Sequence, residues 1–406
     1  MARRMAMGRN GRPQLTPGND NRRPMPNLPF FLCSFTWNYG LGMTWLVVPL
    51  YAHDQGLSPA EIGTLFSAPV IAQIVITVVG GAYVDRFGGK RVVIASSLLM
   101  AVASVQFLFA QGYWELMAAQ AVLVLSRASF WPANWSIATE LPGDRRVQTG
   151  RVNAVTNVGH IFGNASAGFV LALGGFQAAL SMLAAIGFAA AVAGIWTPQA
   201  PRKRNAGQGL FANFAPLLGT RILYYAVMCA YLSALPFSLS VSFYPLLLQA
   251  VGYGEESSGL MVTLRAVGGI AAGLVMAKFI RTGPASPWPI YAGILVALGV
   301  AVTPLFSHWG PLGFLLFTVG AGSGLMTVYF QITIAEAVPV DMRGSAMALG
   351  GMGWGVSHLS TPLLIGLVAQ HFSLGAGFYA VGALGLAAAL AVAFTRQWAF
   401  ADTFKT

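Results

Sequence analysis

Two arginines, Arg127 and Arg265, stand deep inside long apolar runs of this chain. A charge at such depth costs several kcal/mol unless it faces protein or a wet cavity. No Asp or Glu lies at comparable depth: Asp54, Glu61, Glu115, Glu255 and Glu256 fall near one set of run ends, and the other acids near the opposite set. Cations buried without a counter-ion ask for an anion. The pair therefore predicts N–H donors for a carboxylate, phosphate or sulfonate. The structural alternative ties each guanidinium to backbone carbonyls or to side chains such as Gln120, Asn134 or Asn157.

Asn153, Asn157, His160 and Asn164 are spaced by four, three and four residues, which on a helix makes one polar stripe. In lipid such a stripe is costly, so it is expected to look into the protein. His358 matches His160 at an offset of 198 residues. Both histidines are candidates for carrying a coupling proton; a neutral imidazole in an interhelical hydrogen bond is the alternative. Trp37, Tyr39, Trp131, Trp135, Tyr329, Phe330 and Trp354 sit at middle depths, whereas interfacial aromatic belts prefer helix ends. They either fill the centre or line a cavity gripping apolar parts of a substrate. Asn38, Gln73, Ser238 and Gln331 add polar contacts. The expected substrate-contacting set is thus Arg127, Arg265, Asn38, Trp37, Trp131, Trp135, Asn157, Gln331, Tyr329 and Trp354.

The elements that position these residues follow from composition. The chain is 56% hydrophobic and 9% charged, with a mean hydropathy of +0.66, which soluble domains do not reach. Apolar runs of about 20 residues, enough to cross a hydrocarbon layer of roughly 30 Å as helix, predict twelve transmembrane helices. These use nearly the whole chain and leave no soluble catalytic domain. Of the 23 Lys and Arg residues, all but Arg127 and Arg265 fall in the terminal segments or in one alternating set of connectors. By the positive-inside rule both termini are cytoplasmic. The net charge of +11 is then a topology signal, and no nucleic-acid partner is expected.

The two halves align on each other. At an offset of 196, Cys33 meets Cys229, Pro49 meets Pro245, Gly56 meets Gly252 and Gly63 meets Gly259. At 197, Pro142, Asp144 and Arg146 meet Pro339, Asp341 and Arg343. The expected organisation is a disordered cytoplasmic arm over 1–27, a six-helix bundle over 28–197, a linker over 198–220, a second bundle over 221–396, and a tail over 397–406. Two similar bundles joined by a short link can rock about a site at their interface. Glu140 and Glu336 each precede a Pro-x-Asp-x-Arg turn. They are acidic candidates for proton coupling, with a salt-bridged structural role alongside Arg146 and Arg343 the better fit near the headgroups.

Enzyme templates do not fit. The sequence holds no membrane-embedded carboxylate pair, no Cys/His metal cluster and no phosphate-binding loop. No cofactor or metal is expected, and no catalytic residue. The two cysteines fall in apolar runs and imply no disulfide framework. The first 27 residues, with six Arg among Pro, Gly and Asn, lack the apolar stretch of a signal peptide.

After the second run stands "GAYVDRFGGKR", with Gly81, Asp85, Arg86, Gly88, Lys90 and Arg91. This resembles the signature loop of the major facilitator superfamily, GxxxDRxGxRR, with Lys90 in place of an Arg. The resemblance covers the whole chain, six spans plus six. It implies an all-α polytopic membrane protein of two six-helix bundles related by pseudo-twofold symmetry. It also implies that the loop acid docks near the start of span 11, at Gly344 to Ala346, and latches one side shut. Gly81, Asp85, Arg86, Gly88, Lys90, Arg91, Arg146 and Arg343 are therefore the gating candidates. The equivalent loop of the second half, from Gly273, has Ala277 where the acid belongs, so a second latch is weakened or absent. Gly159, Gly163 and Gly168 keep part of the span 5 motif of the family's drug antiporters, with Asn164 in place of its Pro. Leu123 and Arg127 keep part of their span 4 motif, with Phe130 and Trp131 where Gln and Gly belong.

The reading is a secondary transporter of the bacterial inner membrane that works by alternating access. It would act as a monomer among membrane lipids and take a small organic solute, favoured as an anion, coupled to protons or to a counter-solute. The alternative is a proton-coupled exporter of amphipathic drugs or metabolites.

Overall fold

The computed structural model describes residues 27–142, 145–198, 214–276, 279–339 and 342–401. Nothing but helices and their connections occurs among them. In chain order they are α1 (Leu28–Asp54), α2 (Pro59–Phe87), α3 (Gly89–Phe109), α4 (Tyr113–Glu140), α5 (Arg145–Ile195), α6 (Phe214–Leu218), α7 (Arg221–Ser240), α8 (Tyr244–Ala250), α9 (Glu255–Met276), α10 (Trp288–Val302), α11 (Trp309–Ala337), α12 (Arg343–Gly350), α13 (Met352–His371) and α14 (Leu374–Phe400). Nine stretches among the described residues are long and apolar enough to cross a membrane. One of these, residues 150–195, contains two of the expected spans, because Gly175 turns the chain with a φ of 65°. An L side chain is strained at that φ, so glycine is what allows α5 to fold back without a longer loop. By contrast α1 carries Trp37, Asn38, Tyr39 and Trp45, and α4 carries Gln120, Arg127 and Asn134, which dilute their apolar character.

The expected linker is not wholly irregular: Phe214–Leu218 forms a short helix ahead of α7. The apolar run over 221–250 is two helices, α7 and α8, because the chain turns at 241–243 and restarts with Pro245 near the first position of α8. The terminal arm to residue 26, linker residues 199–213 and the last five residues lie outside the described residues.

Within the first half α1 packs along α5, and within the second α9 packs along α11. Between halves the two main crossings, at the end of the molecule remote from the chain termini, are α2 with α13 and α5 with α9; α1 also touches α8. Both crossings are made by glycines. A methyl on Gly63 would stand 2.6 Å from the Pro362 carbonyl oxygen and 3.1 Å from the Gly366 Cα, and one on Gly366 would stand 2.5 Å from the Pro59 carbonyl oxygen. Across the other crossing, a methyl on Gly259 would stand 2.8 Å from the Asn164 carbonyl oxygen, and one on Gly168 would collide with the Glu255 backbone. Backbones this close leave room for no side chain, the geometry small residues provide in membrane helix packing. In the internal repeat Gly63 corresponds to Gly259 at 196, and Gly168 to Gly366 at 198. One crossing is thus the repeat image of the other.

The turn at Gly88 is built as the sequence requires. Its φ is 83°, and its N–H donates to the Val84 carbonyl at 2.8 Å, closing α2 directly onto α3. Arg86 and Arg91 are exposed and Lys90 is half-buried. Of the other gating candidates, the side chains of Asp85 and Arg146 lie outside what is described, as do that of Glu140 and the surroundings of Gly81 and of Gly344 at the expected docking point. The expected pairing of Glu336 with Arg343 is not found. Glu336 accepts from the Thr282 hydroxyl, and the exposed Arg343 donates its Nε to the Val338 carbonyl at 3.2 Å. Arg343 opens α12 and reaches back to the carbonyl of Val338, the residue that caps α11, instead of to the acid two residues before it.

Candidate functional site

Where the halves meet at mid-depth, the indole of Trp45 from α1 and the ring of Phe237 from α7 are edge-on, 4.6 Å between centroids. Sequence reasoning passed over both. Nothing local distinguishes them from other aromatics in apolar helices, and only the second half's approach gives them a role. Around this contact the structure gathers His160 of α5, 4.7 Å from Trp45. It also gathers His358 and Trp354 of α13, 5.2 and 5.3 Å from Phe237. The Arg265 guanidinium carbon lies 5.6 Å from the Phe237 ring centre, within cation–π range. Trp131 is 6.3 Å from His160 and 6.4 Å from Trp135.

The two deep arginines differ in their environment. Arg127 is half-buried, and its Nε and Nη2 both donate to the Oε1 of Gln73 on α2, the former at 3.2 Å. Its structural partner is thus Gln73, and not Gln120, Asn134 or Asn157. Arg265 is 5% exposed, and its Nε is buried with no acceptor. Each arginine lies within electrostatic range of the histidine of the opposite half, Arg265 of His160 and Arg127 of His358. A cavity of about 20 Å³, room for a single water, is lined by Arg127, His358, Thr44, Trp45 and Gln120.

The polar stripe on α5 becomes more buried toward the remote end: Asn153 is exposed, Asn157 and His160 half-buried, and Asn164 fully buried. Asn157 donates to the Asn153 carbonyl at 2.9 Å, and the buried Nε2 of His160 has no partner. His358 is 8% exposed, with Nδ1 2.8 Å from the Trp354 carbonyl.

Four expected contacts lie elsewhere. Trp37 is fully buried and stacked on Phe130 at 3.8 Å. Asn38, also fully buried, donates to the Ser34 carbonyl at 2.6 Å. Tyr329 packs edge-on against Tyr225 inside the second half, and Gln331 is exposed. Among the described residues no group of His, Cys, Asp and Glu is placed to hold a metal ion. The site offers nitrogen donors and aromatic faces, with no carboxylate among the residues that line it. Such an array can hold an anion and an attached ring; it has no nucleophile activated by a base.

Comparison with known proteins agrees with this architecture. The sequence profile of the Major Facilitator Superfamily matches residues 30–306 and 226–399. Multidrug resistance protein MdtG of Proteus mirabilis (strain HI4320) is 22% identical over 391 residues, covering 91% of this chain and 95% of that protein. Quinolone resistance protein NorA of Staphylococcus aureus (strain MSSA476) is 25% identical over 211 residues, and there the chain spans about half of the relative, 52%. Among solved structures, a bacterial homolog of the human lysosomal transporter Spinster, inward-facing and unoccupied, superposes with a TM-score of 0.73 at 16% identity, covering 94% of this chain and 99% of that one. A D-xylose-proton symporter superposes with a TM-score of 0.72 at 15% identity, covering 90% and 96%. With its family profile matched along nearly its whole length, this chain belongs to the Major Facilitator Superfamily and is a multi-pass membrane transporter, not an enzyme.

Proposed function

We propose that the protein is a secondary transporter that moves a small organic anion bearing an aromatic or apolar part across the bacterial inner membrane by alternating access. Both termini are cytoplasmic in this reading, which rests on the distribution of Lys and Arg. Coupling is to protons or to a counter-solute, with His160 and His358 as the proton carriers and Glu140 and Glu336 as less favoured ones. The observation that carries the anion is Arg265: a guanidinium 5% exposed, with an orphaned Nε, a cation–π contact to Phe237 and no carboxylate partner among the described residues. Burying a cation unpaired costs several kcal/mol, and a substrate that supplies the counter-charge recovers it. The rings of Trp45, Phe237, Trp131 and Trp354 are positioned for the apolar part. With the remote crossings closed, this conformation has its halves held together at the end away from the chain termini, which in this reading is the non-cytoplasmic side.

Proteoliposome uptake of a panel of radiolabelled organic anions, cations and neutral compounds tests the reading. Anion transport that falls in Arg265→Gln supports it, and a panel in which only cations or neutral compounds move overturns it. A second reading, proton-coupled export of amphipathic drugs or metabolites, is favoured by the resistance functions named for MdtG and NorA. It is also favoured by the hydrogen-bonding of Arg127 to Gln73, which lessens that arginine's need of an anion. Substrate-driven proton movement with cationic or neutral compounds would select it.

A further inference from the structure

Among the buried nitrogens near the meeting of the halves that have no hydrogen-bond partner are Nε of Arg265, Nε1 of Trp45 and Nε2 of His160; the side-chain amide of Asn164, nearer the remote end, is likewise unpartnered. They come from α9, α1 and α5, so from both halves. The first two are unambiguous donors, since neither a guanidinium nor an indole N–H can accept. Both side chains are more than nine-tenths buried, Arg265 at 5% and Trp45 at 3% exposed. Leaving such donors unsatisfied forfeits their hydration without return, and more so for the charged one.

The helix crossing explains their proximity. Gly259 sits on Asn164 and Gly168 on Glu255, so α5 and α9 run antiparallel in a register that brings the turn of α9 carrying Arg265 to the level of the turn of α5 carrying His160. Gly320 of α11 packs directly on the Arg265 backbone carbonyl and fixes that residue from behind. Phe237 touches both Trp45 and Arg265, at 4.6 Å and 5.6 Å, and so ties the indole to the guanidinium.

We infer that Trp45, His160 and Arg265 form one anion clamp across the two halves, which holds the carboxylate of the substrate while Phe237 and Trp131 flank its ring. This rests on the organic-anion reading and narrows it: the anionic group is held by Arg265 and not by Arg127, which already gives N–H donors from Nε and Nη2 to Gln73. With the His160 tautomer protonated on Nε2, all three nitrogens donate and the carboxylate oxygens accept. Because the donors belong to both halves, the clamp exists only while α5 and α9 are together. The anion thereby favours the closed remote end, since a ligand shifts a conformational equilibrium by its difference in affinity for the two states.

The test is calorimetric titration of the full chain in lipid nanodiscs with benzoate, with benzenesulfonate, and with benzamide as a neutral mimic. Benzoate is expected to bind at least tenfold tighter than benzamide. Arg265→Gln and Trp45→Phe should each weaken benzoate, by about tenfold or more and about threefold or more, with the double variant no weaker than Arg265→Gln alone. Trp45→Phe keeps the ring and loses only the donor, so it separates hydrogen bonding from packing, and Arg265→Lys controls for folding by keeping the charge. If benzoate or benzenesulfonate binds and Arg265→Gln and Trp45→Phe leave it unchanged while Arg127→Gln abolishes it, the clamp is overturned and the organic-anion reading stands. If neither anion binds better than benzamide, the clamp is overturned, and failure of the wider uptake panel is what removes the organic-anion reading.

Discussion

The ring of Trp45, from the first helix of one half, meets the ring of Phe237, from the first helix of the other, at 81° and 4.6 Å. An edge-to-face pair is worth about 0.5–1.5 kcal/mol beyond the area it buries, and this one joins two bodies that must part for transport. Phe237→Ala removes both that pair and the cation–π contact to Arg265. It should weaken the association of the halves and raise the population with the remote end open. Distance measurements between spin labels on the outer ends of α2 and α13 would read this, and an unchanged distribution would show that the pair does not restrain the halves.

The glycine crossings give a sharper expectation. Gly168→Ala drives a methyl into the Glu255 backbone, and Gly63→Ala puts one 2.6 Å from the Pro362 carbonyl. Each should disfavour the closed remote end, increasing alkylation of a cysteine introduced nearby and lowering transport. Gly150→Ala, where an added methyl meets nothing within 4 Å, is the matched control and should behave as wild type. Equal labelling of all three variants would remove the glycines from the gate.

Gln73 is the partner that keeps Arg127 inside the first half. Hydrogen bonds to a charged group are worth about 1.5–3 kcal/mol, so Gln73→Ala should lower the thermal unfolding temperature of the purified protein. Gln73→Glu supplies the missing counter-charge beside Arg127. It should preserve or raise stability while depressing anion uptake through its negative field. Uptake at the wild-type level in Gln73→Glu would argue that no substrate anion approaches Arg127.

Trp37 and Phe130 stack at 3.8 Å with both side chains fully buried. Phe130→Ala should therefore cost about 3–5 kcal/mol of stability, as large-to-small core changes do. Trp37→Phe should leave benzoate affinity within about twofold of wild type. A large affinity loss in Trp37→Phe at unchanged stability would return Trp37 to the substrate site.

Much of this protein is written locally. Hydropathy marks spans because each turn of helix in lipid must be apolar by itself. Charge in the connectors indicates orientation, and glycine at 88 and 175 is demanded by positive φ, a property of one residue. The depth of Arg127 and Arg265 and the α5 stripe likewise need only a count along the chain. Partnership is different in kind. That Arg127 finds Gln73, that Arg265 finds no acceptor, and that Glu336 turns to Thr282 instead of Arg343 are outcomes of how separate helices are brought together. The middle-depth aromatics make the same point. Trp37, Trp45 and Trp354 look equivalent in the sequence, yet Trp37 is sealed against Phe130 while Trp45 and Trp354 face the other half or the centre. The sequence by itself determined a membrane-spanning, internally repeated transporter with cations at unusual depth. Only the tertiary structure decided which of those cations lacks a partner, because hydrogen-bond satisfaction in a low-dielectric interior depends on groups such as Gln73, 54 residues from Arg127 in the chain and within hydrogen-bond reach in space.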